Sequence, residues 1–355
     1  MNGGRRTVLD RRTMLGAMAI GGAGIVGVGG FLYTGNAVGP RRLTARAIVD
    51  RFQSLNGVHP GFRRNHAKGV AVDGHFDSNG RGTQLSRASI FEAGRYRVHG
   101  RFSLSGGNPY IADDPGQVRG LGLRIDAAAG EQWRLAMINL PVFLDPTPKD
   151  FYDRMVAFAA DPVTGKPDPD RVAAYLADHP RTKAAMALAK SVPTAPTFAS
   201  TAFHGLNAFE ATNAAGATVP IRWTLVPRTP ATESARRGPH QLFDQLADDI
   251  GARPRTWSLV ITEGVRGLDR TDDATVAWPK DRRAIEVGTL TLHRIMTETP
   301  DNVGTTNFDP LVLPDGIAAS DDPLLPARSA AYAESFRRRA GEPRGRGAVQ
   351  AGGAA

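Results

Sequence analysis

The chain has no cysteine, and that one absence removes several kinds of chemistry. Disulfides, thiolate ligation of iron or zinc, a lipidated cysteine anchor and covalent cofactor attachment through Cys-x-x-Cys-His are all excluded. Any bound metal must be held by nitrogen or oxygen. Histidine is sparse too: there are eight, and none shows HExxH or paired metal-ligand spacing. The sequence also has no basic stripe interleaved with aromatics and no zinc-finger or recognition-helix pattern. Its net charge of +9 is therefore not a sign of nucleic-acid binding, and much of it sits in Arg5, Arg6, Arg11 and Arg12 and in Arg337, Arg338, Arg339, Arg344 and Arg346. What remains is a chain of 355 residues, 41% hydrophobic, long enough for one large domain or two ordinary ones with a real core.

Arg11-Arg12 stands directly before residues 14–33, twenty positions without a charge and with seven glycines. The segment resembles a bacterial twin-arginine export signal. Its weak hydrophobicity suits export better than a stable span, and a signal-anchor helix is the other reading. Both place the rest of the chain outside the cytoplasm, in the periplasm or anchored to the membrane. The twin-arginine route carries folded, cofactor-loaded proteins.

Beyond a short helical pattern at 43–52, eight segments have β-branched or alternating character: 69–76, 97–105, 120–127, 132–139, 203–211, 218–226, 257–262 and 288–295. Eight such segments suit a closed antiparallel barrel, which leaves no exposed edge. Helical patterns interrupt them at 150–160, 168–191, 240–250 and 324–339, giving an α+β architecture. The Gly/Ala/Arg/Pro-rich stretch 341–355 is expected to be disordered.

Two pieces carry chemistry. In the last helical pattern, Arg328 and Tyr332 are four residues apart and share a face. A cation beside a phenol favours its ionised form, and a phenolate is a hard ligand for ferric iron. Far upstream, Arg63-Arg64-Asn65-His66-Ala67-Lys68-Gly69 puts a histidine at the mouth of the first strand. A neutral imidazole there can pass a proton between the two oxygens of a peroxide.

In order along the chain, these pieces resemble the haem catalases. His66-Ala67-Lys68-Gly69 is similar to the family's distal histidine segment, with Arg63 at the place of a propionate-binding arginine. Arg101-Phe102-Ser103 is similar to the element whose arginine meets a propionate and whose serine orients the distal histidine. Residues 112–114 and 118–121 look like the acidic turn and strand that follow. Asn139-Leu140-Pro141-Val142-Phe143 looks like the distal asparagine segment, and Phe151 fits the phenylalanine that stacks on the porphyrin. Trp278-Pro279, Asn307-Phe308-Asp309-Pro310 and Leu313-Pro314-Asp315-Gly316-Ile317 resemble the approach to the proximal helix, which Arg328-x-x-x-Tyr332 completes. The likeness runs from about 52 to 339.

The resemblance implies a catalase-like eight-stranded antiparallel β-barrel with inserted and C-terminal helices over 41–340, binding haem b. Tyr332 would be the iron ligand. His66, Ser103 and Asn139 would be catalytic, and Arg63, Arg101, Phe143, Phe151, Arg328 and Arg339 would hold the cofactor. The family's adjacent asparagines are represented here by Ile138-Asn139, which leaves open which residue takes the distal amide position. The chain ends soon after the proximal helix, like the exported catalase-related peroxidases, in which a shortened shell leaves the haem more accessible. The expected activity is reduction of hydrogen peroxide or an organic hydroperoxide by an external electron donor, with weak catalase activity, in a monomer or homodimer. The alternatives are a hydroperoxide-rearranging enzyme, a haem carrier or sensor without turnover, and a non-haem periplasmic binding module.

Overall fold

A computed structural model of the protein describes residues 43–228, 230, 236–343 and 347–351. The export segment expected over 1–40 lies outside the described residues, as do 344–346 and 352–355 of the C-terminal stretch. Among the described residues no helix is long and apolar enough to cross a membrane.

The unit Ala45–Ala355 is built around ten strands. They are β1 (Gly69–Ser78), β2 (Gly94–Leu104), β3 (Arg119–Asp126), β4 (Gln132–Ile138), β5 (Phe203–His204), β6 (Phe209–Thr212), β7 (Thr218–Pro227), β8 (Arg255–Glu263), β9 (Ala284–Met296) and β10 (Ile317–Ala319). Eight close into the expected antiparallel barrel in the order β1-β2-β3-β4-β5-β7-β8-β9, with β9 returning to β1. The segment expected as one strand over 203–211 divides into β5 and β6. Leu206 turns left-handed between them, with φ 68°, and both halves then pair with β7.

Six α-helices surround the barrel among the described residues: α1 (Ala45–Asn56), α2 (Pro148–Ala157), α3 (Pro169–Asp178), α4 (Pro180–Ser191), α5 (Gln241–Ala252) and α6 (Leu324–Ala340). The helical pattern 168–191 is broken at Pro180, which has no amide proton for the preceding turn and forces His179 out of helical geometry at φ −124°. Helix α1 packs on α6, where Arg338 pairs with Asp50 at 2.7 Å.

Inside the barrel, alternate residues of each strand form one continuous core, as a period of two requires. Val70 and Val72 of β1, Phe102 and Leu104 of β2, Leu121 and Leu123 of β3, and Trp133, Leu135 and Met137 of β4 all point inward and are buried. Phe102 packs against Phe198, Phe203 and Trp257, with ring centroids 5.2, 5.7 and 6.0 Å away. The start of β1 is pinned by a fully buried ion pair, Lys68 Nζ to Asp113 Oδ1 at 2.6 Å. Lys68 also donates to the carbonyls of Ile111 and Pro239, and Asp113 accepts the N–H of Leu242 at the start of α5.

The composition of 341–355 predicts disorder, but its described part is tied to the domain. Glu342 pairs with Arg64, Gly347 N–H donates to the Glu298 carbonyl at 3.2 Å, Ala351 N–H donates to Thr297 Oγ1 at 3.1 Å, and Val349 is buried. One buried valine and a carboxylate facing a buried arginine are enough to anchor this segment against its composition.

Because Phe102 joins three aromatic neighbours at the barrel centre, Phe102→Ala is expected to destabilise the protein by about 3–5 kcal/mol. Denaturant unfolding monitored by far-UV circular dichroism measures this, and a loss below about 1 kcal/mol would contradict the packing described.

Candidate active site

His66 lies just before β1 in a left-handed backbone conformation, φ 56°. Side chains other than glycine adopt it at a disadvantage of order 1–3 kcal/mol. Neighbouring groups hold the bend. The His66 N–H donates to Asn65 Oδ1 at 2.9 Å, which also accepts from Gly106 N–H at 2.9 Å. Arg101 donates to the carbonyls of His66 at 2.7 Å and Ala67 at 2.9 Å. The ring's Nδ1 lies 3.1 Å from Ser103 Oγ, so the nitrogen not committed to Ser103 is Nε2. Burial, followed by the positive charges of Arg101, Arg328 and Arg63, pushes the imidazole pKa down to about 3. The ring is therefore neutral at ordinary pH.

Strand register supplies the space in front of this ring. Gly69, Ser103, Gly120 and Ile138 form one row across β1 to β4, and Ala71, Arg101, Gly122 and Ala136 form the next. Both rows face outward, since their strand neighbours fill the core. The two central glycines leave a shelf: a Cβ on Gly120 would lie 2.8 Å from both His66 Nδ1 and Ser103 Oγ, and one on Gly122 would lie 2.8 Å from the Phe308 ring. Between this shelf and helices α1, α2 and α6 lies a cavity of about 450 Å³. Its walls are largely apolar, with Ile48, Phe52, Leu144 and Met155 among them. Phe143 and Phe151 stand together there with ring centroids 5.7 Å apart.

Helix α6 contributes Arg328 and Tyr332, one turn apart, both to the cavity wall. Tyr332 packs against the small cluster of Ala71, Val303 and Phe308. Arg328 donates to the Ala136 carbonyl at 2.9 Å and to Asn207 Oδ1, whose amide nitrogen donates to Asp322 at 2.7 Å. Arg339, two turns beyond Tyr332, also borders the cavity and donates to the Thr306 carbonyl at 3.0 Å. Arg63 meets the same loop, donating to Thr306 at 3.1 Å and Val303 at 2.9 Å. Burial is the main cause that lowers the Arg63 pKa to about 10, so the group stays charged at neutral pH. Its Nε is buried without a hydrogen-bond partner among the described residues.

The one cavity thus gathers His66, Ser103, Arg63, Arg101, Phe143, Phe151, Arg328, Arg339 and Tyr332 from segments spread over most of the chain. The catalase family profile matches residues 32–253 and 262–344. The chain belongs to the catalase family. A catalase-related peroxidase of Synechococcus elongatus is 35% identical over 91% of this chain and 94% of its own length. A second, from Mycolicibacterium paratuberculosis, is 30% identical over 85% of this chain and 97% of its own. Among solved structures, a fungal catalase superposes with a TM-score of 0.69 at 22% identity, which supports the fold. The alignment takes in 86% of this chain and 64% of that one, so this chain spans less than two thirds of the fungal enzyme.

One expected residue of this catalase-family site is misplaced. Asn139 does not border the cavity: its Oδ1 accepts the Arg119 N–H at 2.9 Å and its own N–H donates to the Arg119 carbonyl at 3.0 Å. Ile138 takes the wall position instead, in the row that holds Ser103. The reason is the pleat, which sends successive residues to opposite faces. Sequence reading also missed Glu298. It is an isolated acid between two threonines, with no spacing to mark it, yet it meets Arg101 Nε at 2.6 Å and Arg63 at 3.3 Å.

The low pKa of His66 has a consequence for stability. Below pH 6.5 the unfolded chain takes up a proton that folded His66 refuses, so stability falls as pH drops from about 6.5 towards 3. One such group contributes at most about 1.4 kcal/mol per pH unit. In His66→Gln this component is absent, and the loss of stability between pH 6.5 and 4.5, measured by denaturant unfolding, should be shallower. Parallel curves for the two proteins would contradict a neutral buried ring.

Proposed function

We propose that this protein is a haem-dependent peroxidase that reduces hydrogen peroxide or an organic hydroperoxide with electrons from an external donor. One observation carries the reading: a single cavity holds a phenol from α6, a neutral imidazole from the β1 entry and a group of arginines. The donor set suits haem b. Tyr332 offers an oxygen ligand of a kind that holds haem iron. Arg63, Arg101 and Arg339 offer guanidinium groups for two carboxylates. Phe143 and Phe151 offer apolar surface for a flat ring. The volume of about 450 Å³ is in the range of cofactor sites, and Arg63 Nε is a buried donor that lacks an acceptor among the described residues. When bound, haem would supply an iron able to take oxidising equivalents from a peroxide and pass them to a reductant.

The chain's own part is proton movement. Neutral His66 accepts the hydroperoxide proton at Nε2 and returns it to the departing oxygen, so that water or an alcohol leaves in place of its anion. Ser103 Oγ fixes the ring by holding Nδ1, which decides which nitrogen does this. Ile138 brings no amide to the row, so nothing from that position can orient a second peroxide for dioxygen release. Catalase activity is accordingly weak beside donor oxidation in this reading. The Arg11-Arg12 pair and the uncharged run 14–33 support a reading in which the protein is exported and acts outside the cytoplasm.

Haem-supplemented protein is expected to consume peroxide rapidly with a phenolic or aromatic-amine donor and slowly without one, releasing little dioxygen. His66→Ala should lower the donor-dependent rate ~10²–10⁴-fold. Donor-independent conversion of an organic hydroperoxide into a rearranged product, or an unchanged rate in His66→Ala, would contradict the reading. Ile138→Asn should raise the dioxygen released per peroxide consumed about tenfold, the equivalent of one net hydrogen bond of ~1.4 kcal/mol. An unchanged ratio would show that the isoleucine does not limit that branch.

A further inference from the structure

Arg63 and Arg101 also line a second, smaller pocket beside the cavity, where they meet a carboxylate that the proposed chemistry does not use. Glu298 sits between the end of β9 and the turn Pro300–Gly304, with its side chain only 17% exposed. Its Oε2 accepts from Arg101 Nε at 2.6 Å, and its Oε1 accepts from Arg63 at 3.3 Å. Arg101 Nε thus donates to Glu298, while each of its two terminal nitrogens gives one of its two N–H groups to the carbonyls of His66 and Ala67. Those carbonyls flank the left-handed bend that aims the His66 ring.

From this chain of contacts we infer that Glu298 is a positioning residue for His66, acting through Arg101 on the strained His66–Ala67 backbone. The inference rests on the proposed role of His66. The physical grounds are geometric. A guanidinium is planar, so fixing Nε on one edge fixes the direction of both terminal nitrogens. With Glu298 in place, Arg101 meets two successive carbonyls at once, a combination available only while the His66 backbone keeps its unusual φ. Without Glu298, Arg101 and Arg63 would be two buried cations with no carboxylate between them. Their repulsion would swing Arg101 away, and the bend would lose its clamp. Ser103 and Asn65 hold other edges of His66, and neither reaches its carbonyl. The Glu298 backbone also meets the C-terminal segment, since its carbonyl accepts from Gly347 N–H, and Gly347 and Ala348 line the same small pocket as Arg63, Arg101 and Glu298.

The test uses two readouts on full-length protein. In cofactor-free protein, the ring proton resonances of His66 in Glu298→Ala and Glu298→Gln are compared with wild type and assigned through His66→Gln. Both variants should shift and broaden the His66 signals. Gln should do so less, because its amide oxygen still accepts from Arg101 Nε. His66 signals unmoved in both variants would overturn the inference, whatever the activity of the loaded protein. In haem-loaded protein, Glu298→Gln should lower the rate constant for reaction with peroxide about tenfold in the wild-type background and leave it unchanged in His66→Ala. Equal fold-losses in the two backgrounds would show that Glu298 acts independently of His66 and would overturn it as well. Because the resonance experiment contains no haem, failure of the peroxidase reading and failure of this inference can be told apart.

Discussion

A single register along β3 and β4 decides what the cavity can contain. With Gly120 opposite Ser103 on one side and Ile138 on the other, the outward row has a serine to hold a histidine, a gap for a substrate and an isoleucine at its far end. A slip by one residue would exchange every inward and outward side chain. The barrel core, from Phe102 to Trp133, would then face the cavity, and the glycine shelf would be lost to the interior. The packing of the core and the shape of the site are therefore one constraint. Its strength comes from the apolar residues on the hidden face, which have no part in the chemistry.

Electrostatics then sets what that shape can do. Burial, together with the charges of three arginines on the cavity wall, Arg101, Arg328 and Arg63, keeps the His66 imidazole neutral. A neutral ring can accept a proton, whereas a protonated one could only donate. Glu298 offsets part of that positive field, and Arg101 and Arg63 in turn hold its own pKa low against the opposing effect of burial. The Lys68–Asp113 pair, two residues from His66, fixes the same loop from the other side by linking β1 to α5. Removing either of its charges would leave the other buried and unpaired.

Much of this was legible in the sequence, for identifiable reasons. The barrel strands announced themselves through alternation, and seven of the eight expected segments are single strands of the barrel. The exception, 203–211, has enough apolar and aromatic character, with Phe203, Leu206 and Phe209, to read as one strand, because a left-handed Leu206 leaves no mark in composition. The break at Pro180 was legible in principle, since proline excludes the preceding residue from helical geometry. The site residues were found by their order along the chain. Arg63, His66, Ser103 and Tyr332 are each ordinary when alone. The choice between Ile138 and Asn139 needed the cross-strand register, which pairs Ile138 with Gly120 and turns Asn139 back onto Arg119. Glu298 was invisible because its meaning lies wholly in arginines about 200 and 235 positions earlier, a separation that no local pattern encodes.

The proposed function requires that Tyr332, on the helix facing the glycine shelf, be the iron ligand of a haem site. The most direct measurement is titration of the purified protein with haem, followed in the Soret and charge-transfer regions, for wild type and Tyr332→Phe. Saturation at one haem per chain is expected for wild type, with phenolate-to-iron bands that are missing in Tyr332→Phe. Identical spectra for the two proteins, or no stoichiometric binding by wild type, would contradict it.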